Sequence, residues 1–150
     1  MINNGKPERR LAMRVLVCDD DAGTRLIVKH LLVRKLGCEV IECANGAEGL
    51  AAIANERVDL AIVDVNMPQM NGIDFVEAVR DSPTLKDVCI VMLTSDRREE
   101  VVRQLLAMGV AGYIVKPLVP DVVLAKLERI LESIVPAASE VLAETVPSPA

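Results

Sequence analysis

The chain has 150 residues, 51% of them apolar, which suits one compact domain with a real core and is short for two. Its net charge is −5, and its only aromatic residues are Phe75 and Tyr113. It therefore offers neither the cations that neutralise a phosphate backbone nor the rings that stack on bases, and nucleic acid is not an expected partner. No window approaches the roughly 20 apolar residues that cross a bilayer, and Met1 to Met13 lacks the apolar segment of an export signal. The protein reads as soluble and cytoplasmic, with no membrane partner.

The predicted elements alternate. Val15-Leu16-Val17-Cys18 forms the first strand, and Ile27, Val28, Leu31 and Leu32 then recur at helical spacing, with Gly37 closing that helix. Val40-Ile41 is a second strand, and Asn45-Gly46 opens a second helix that carries Leu50 and Ile53. Leu60-Ala61-Ile62-Val63 follows, then a loop bracketed by Pro68 and Gly72 before a third helix. Val88 to Leu93 is a fourth strand, a fourth helix ends at Gly109 and Gly112, and Ile114-Val115 is a fifth strand. The last helix shows Leu124, Leu127, Ile130, Leu131 and Ile134 and stops at Pro136. Because the central strand runs are continuously apolar, they read as parallel strands covered by helices on both faces, an α/β fold of five strands and five helices. That assigns 14–135 to one domain, 1–13 to an N-terminal extension, and 136–150, rich in Ala, Ser and Pro, to a mobile tail.

Ligands of an open parallel sheet bind beyond the carboxyl ends of the strands. Here those ends carry Asp19-Asp20-Asp21, Asp64, Thr94-Ser95-Asp96 and Lys116-Pro117. Carboxylates gathered in one place repel and raise one another's pKa unless a cation intervenes. Mg²⁺, which takes a few carboxylates, a carbonyl and phosphate oxygens, suits this set, whereas zinc would want Cys and His ligands that are not clustered. A carboxylate beside the ion can attack phosphorus, and Asp64 is the best placed. Lys116 would then offset charge on the transferring group while Thr94 donates a hydrogen bond.

The ordered set Val17-Cys18-Asp19-Asp20, Asp64-Val65-Asn66-Met67-Pro68, Met70-Asn71-Gly72, Leu93-Thr94-Ser95 and Gly112-Tyr113-Ile114-Val115-Lys116-Pro117 resembles the receiver domains of bacterial two-component systems, especially the chemotaxis type. The resemblance covers nearly the whole folded part. It implies a flavodoxin-like (βα)5 sheet in the order 2-1-3-4-5, and a stand-alone response regulator that takes a phosphoryl group onto Asp64 from a histidine kinase or histidine phosphotransfer protein. It implies that Asp19, Asp20, Asp64 and the main-chain carbonyl of Asn66 hold Mg²⁺, with Mn²⁺ as a possible substitute. It also implies that Lys116 ion-pairs with the phosphoryl group, that Thr94 and Tyr113 are the moving residues, and that Asn66 and Asp96 tune hydrolysis. Such a protein is a switch, not an enzyme with a separate substrate, although it catalyses its own phosphorylation and dephosphorylation. Output would leave by the face of helix four, strand five and helix five. A cis bond before Pro117 is a further implication.

Blander readings stand beside these. Asp19 and Asp20 alone would be helix caps, Lys116 a surface lysine and Tyr113 a rim aromatic. Asp21 fits the positive end of the first helix, His30 an ordinary helix surface, and Met67, Met70, Met92 and Met108 packing. Of Cys18, Cys38, Cys43 and Cys89, two lie in strand runs and read as small hydrophobes. Two other functions compete: a phosphorylation-independent scaffold, and an aspartate-dependent phosphohydrolase, whose D-x-D-x-[TV] run Asp19 to Gly23 matches except at Gly23.

Overall fold

Continuous apolar runs become buried parallel strands, and a computed structural model that describes residues 13–134 shows how they are ordered. The elements are β1 (Arg14–Cys18), α1 (Ala22–His30) with a π-helical continuation Leu31–Lys35, β2 (Glu39–Cys43), α2 (Gly46–Asn55), β3 (Leu60–Asp64) and α3 (Gly72–Asp81). Then come β4 (Cys89–Thr94), α4 (Glu99–Ala107), β5 (Gly112–Val115) and α5 (Pro120–Ser133). All pairings are parallel and the sheet order is β2-β1-β3-β4-β5, the flavodoxin-like order. β3, in the middle, is buried along its whole length.

Strand side chains alternate between the two faces and so build two cores. On one face Val15, Val17, Leu60, Ile62, Val91 and Leu93 meet Val28, Leu31 and Leu32 of the first helix and Val123, Leu127 and Leu131 of α5. On the other, Leu16, Cys18, Ala61, Val63, Ile90 and Met92 meet Ile53, Phe75, Val76, Val79 and Leu105 from α2, α3 and α4. Each fully buried aliphatic side chain contributes about 1.5–3 kcal/mol. Cys18 and Cys43, register partners on β1 and β2, lie in the second core, where the Cys43 thiol and burial push the Cys18 thiol far above its usual range. Met67 and Met92 are buried, and Met70 and Met108 pack against the same core.

Several boundaries differ from the periodicity. Met13, the first described residue, is 1% exposed, and its carbonyl accepts the Glu39 N–H at 3.1 Å. Ile27 is 39% exposed, at the margin of a buried stripe that runs through Val28, Leu31, Leu32 and, after the π turn, Leu36. Gly112 opens β5 instead of ending α4; the reversal is made at Gly109, with φ of +80°. α5 ends at Ser133 with Ile134 as its cap, and Pro136 and the tail lie outside the described residues.

Two ionic devices brace the frame away from the carboxyl edge. At the amino edge, Asp59 accepts the Arg14 N–H at 2.8 Å and two Arg57 contacts of 3.1 Å, while Arg14 Nε donates to Glu39 at 3.2 Å. Arg80, at the end of α3, donates to the carbonyls of Lys86 and Val88 (each 2.9 Å), Met108 (3.3 Å) and Gly109 (2.9 Å), strapping the C-terminal end of α4 to α3 and to the approach to β4. The other end of α4 has Arg98 at its cap with no side-chain capping bond, and Leu105 is its only fully buried residue.

Candidate functional site

Three consecutive aspartates leave β1, and each has a different fate. Asp19 is fully buried, its N–H donates to the Cys43 carbonyl at 3.0 Å, and its own carbonyl accepts Arg25 Nη1 at 2.7 Å. Its Oδ1 accepts the Asp21 N–H at 2.9 Å. Asp20 is exposed. Asp21 is the N-cap of α1, taking the Gly23 N–H at 3.2 Å and the Thr24 hydroxyl at 2.8 Å, contacts that hold its carboxyl below the usual range. Capping thus falls to Asp21, and the other two acids are free for other work.

Asp64 ends β3 beside Asp19 and is 5% exposed. The loop after it folds back tightly: Val65 N–H donates to the Leu93 carbonyl and Gly72 N–H to the Val65 carbonyl, each at 2.9 Å. At Gly72 the helix backbone lies directly against the Asp64 carbonyl, so any Cβ there would collide with it. Asn71 caps α3 by accepting the Asp74 N–H at 2.9 Å, and Asn45 caps α2 in the same way through Glu48 at 2.8 Å. These caps fix the loops that surround the acids.

Lys116, just past β5, crosses to the acids. Its Nζ lies 2.8 Å from Asp19 Oδ2 and 3.4 Å from Asp64 Oδ1. Its N–H donates to the Thr94 carbonyl at 2.8 Å, and the Lys116–Pro117 bond is cis. Burial raises the Asp64 carboxyl to about 6, helped by the charge of Asp19 and opposed by Lys116 and the Asn66 N–H. Burial alone would lower Lys116, but Asp19 and Asp64 hold it above its ordinary value. At neutral pH the cluster therefore carries more negative charge than its one ammonium can offset.

A hard cation fits this arrangement. Asp19, Asp20 and Asp64 each offer an oxygen within 4.8 Å of the others. The buried Asp19 Oδ2 lies outside hydrogen-bond geometry and is offset only by the Lys116 ammonium, which it shares with Asp64.

The other expected residues fall around this cluster. Thr94 ends β4, 1% exposed, and its hydroxyl accepts the Asp96 N–H at 3.0 Å. Asn66, Ser95, Asp96, Arg97 and Arg98 line an open depression beside it. Arg98 forks onto Asp96 at 2.6–3.1 Å and holds that carboxyl at about 2. Tyr113 stands apart on β5, half-buried, with Lys126 of α5 against it. His30 is exposed on α1. Sequence reading missed Arg25, which holds the Asp19 carbonyl, and Lys126, since each reaches its partner only through the folded helix. It also missed the close approach at Gly72, whose signal was no more than a glycine in a loop.

A parallel sheet in this order, with an acid cluster and a lysine on its carboxyl edge, defines a doubly wound α/β domain built to handle a charged group at its strand ends. Residues 15–128 match the family model described as "Response regulator receiver domain". Chemotaxis protein CheY1 of Helicobacter pylori is 41% identical over 121 residues, which cover 79% of this chain and 97% of that protein. Chemotaxis protein CheY of Pseudomonas aeruginosa is 35% identical over 123 residues, 81% of this chain and 98% of the relative. Among solved structures, the chemotaxis response regulator CheY4 of Vibrio cholerae aligns with a TM-score of 0.73 at 40% identity, covering 79% of this chain and 98% of that one. The chain belongs to the response regulator receiver domain family, signalling proteins whose general function is to accept a phosphoryl group on an aspartate from a histidine kinase. Receiver domains generally bind Mg²⁺, and none of the described helices is long and apolar enough to cross a membrane.

Proposed function

We propose that Asp64 is the phosphoacceptor of this receiver and that the domain spans residues 14–135. The reading rests on one observation above all: a buried carboxylate at the end of the central strand, pushed up to about 6, shares the Lys116 ammonium with a second buried acid, Asp19. Asp19, Asp20 and Asp64, with the Asn66 carbonyl, would hold Mg²⁺ or in its stead Mn²⁺, which supplies positive charge to the phosphoryl oxygens. Asp64 must be ionised to attack, so the acceptor is poised near neutrality and gains reactivity when cationic charge lowers its pKa.

Asp64 forms a new oxygen–phosphorus bond as the bond from phosphorus to the histidine nitrogen of the donor breaks; with a small acyl phosphate the bond to the acyl oxygen breaks instead, so the chain catalyses its own phosphorylation. Lys116 shifts its ammonium from the carboxylates to a phosphoryl oxygen. Thr94 exchanges its contact with the Asp96 N–H for one with the phosphoryl group, and Tyr113 turns inward behind it. Asn66 and Asp96, on the open depression, stand where water would approach phosphorus to hydrolyse the aspartyl phosphate, releasing inorganic phosphate and restoring the Asp64 carboxylate. A histidine kinase or histidine phosphotransfer protein, in the cytoplasm, is the donor. The output partner is a protein that reads the α4-β5-α5 face, and a coupling of about 1–3 kcal/mol would link the two sites.

The test is intact mass after incubation with acetyl phosphate, with and without Mg²⁺, for wild type and Asp64→Asn. A Mg²⁺-dependent gain of one phosphoryl group in wild type alone supports the reading. An equal gain in the variant overturns the assignment of Asp64, and no gain in either, with no metal binding, points to a scaffold.

A further inference from the structure

Lys126 touches Tyr113 in two ways at once. Its Nζ donates to the Tyr113 carbonyl at 2.8 Å and lies 5.1 Å from the centre of the Tyr113 ring. β5 is the last strand of the sheet among the described residues, and α5 packs on the face that carries Ile114. The ring is half-buried, and the ammonium above it holds it at the surface by a cation–π contact. An inward turn of the ring takes it out from under Nζ, while the carbonyl contact stays with the backbone. A single lysine thus anchors the strand and opposes the movement of its side chain.

We propose that Lys126 is a positioning residue that restrains Tyr113 and thereby sets how much occupancy of the acid cluster is needed to move it. The inference rests on Tyr113 being a moving residue, as read under the proposed function. It concerns a residue 10 positions beyond Lys116 in sequence that is no part of the acid cluster.

Tyr113 is the only tyrosine of the chain, so 3-fluorotyrosine places one fluorine nucleus in the whole protein, at the residue of interest. The full chain would be titrated with beryllofluoride in Mg²⁺, as a mimic of the phosphoryl group, and the ¹⁹F resonance followed for wild type, Lys126→Met and Lys126→Arg. The change of shift between H2O and D2O reports the exposure of the ring separately from the loss of a nearby charge. Lys126→Met is expected to lower the titration midpoint roughly two- to fivefold, the size of one exposed cation–π contact. It is also expected to reduce the solvent shift before any beryllofluoride is added. Lys126→Arg, which keeps the cation and its donors, should restore both. A midpoint in Lys126→Met equal to or above that of wild type overturns the inference while leaving Tyr113 as a moving residue. A wild-type resonance that ignores saturating beryllofluoride overturns the movement of Tyr113 itself, and the inference with it.

Discussion

The two ends of the sheet solve the problem of charge in opposite ways. At the amino edge the partly exposed Arg14 and Arg57 meet the exposed Glu39 and Glu56 and the more deeply set Asp59. Asp59, whose side chain is 6% exposed, is served by a backbone N–H and a guanidinium. At the carboxyl edge three carboxylates share one ammonium, and two of the acids are buried. The first arrangement gives every acid a guanidinium partner and braces the fold. The second is left unbalanced, and the imbalance is what makes it receptive to a cation and a phosphoryl group.

Four changes would break or sharpen that contrast. Lys116→Met removes the ammonium that contacts both Asp19 and Asp64 and is expected to slow phosphoryl incorporation from acetyl phosphate about a hundredfold, as for loss of one preorganised electrostatic partner. Time-resolved intact mass measures this, and an unchanged rate would remove Lys116 from the chemistry. Next in size is a gain in stability. In the fold the Asp64 carboxyl titrates near about 6 against an ordinary 3.8. The stability it contributes is therefore complete below 3.8 and is lost as pH rises through about 6. In chelator, Asp64→Asn should raise the unfolding free energy by about 2 kcal/mol at neutral pH, and the advantage should fade in acid. Urea unfolding at both pH values decides it, and Mg²⁺ should stabilise the wild type more than the variant.

At the amino edge the sign reverses. Asp59→Ala strands the Arg14 N–H and is expected to cost about 1–2 kcal/mol in the same urea experiment, with no change in phosphoryl incorporation. If it slowed incorporation as well, the two edges would not be independent. The smallest effect belongs to Arg98→Ala. Its pair with Asp96 is exposed and screened, so the thermal midpoint should not move measurably, and scanning calorimetry in low and high salt would reveal a contribution if there were one.

Much of this was legible in the residues. Strand order aside, the five apolar runs and the turn signals at Gly37, Asn45 and Gly109 are local facts, and they placed the acids, Thr94 and Lys116 at one edge before any coordinate. What failed was phase and boundary. Ile27 fits a helical stripe drawn at 3.6 residues per turn but lies at its exposed margin, and the π turn that follows moves the next buried position to Leu36. A glycine marks the end of a helix and the start of a strand alike, so Gly112 fell on the wrong side. Asp19, Asp20 and Asp21 are chemically identical, and which of them caps α1 depends on a one-residue difference in where the helix begins. Contacts such as Arg25 on Asp19 or Lys126 on Tyr113 need the fold itself, because the long side chains that make them could point anywhere.

The strap made by Arg80 has a mechanical consequence. It clamps the C-terminal end of α4 at Met108 and Gly109, whereas the N-terminal end follows directly from the loop that carries Thr94 and Asp96. A beam fixed at one end deflects at the other. A rearrangement around the Thr94 hydroxyl would therefore displace the N-terminal end of α4, where Val101 is only partly buried, more than the end held at Met108 and Gly109.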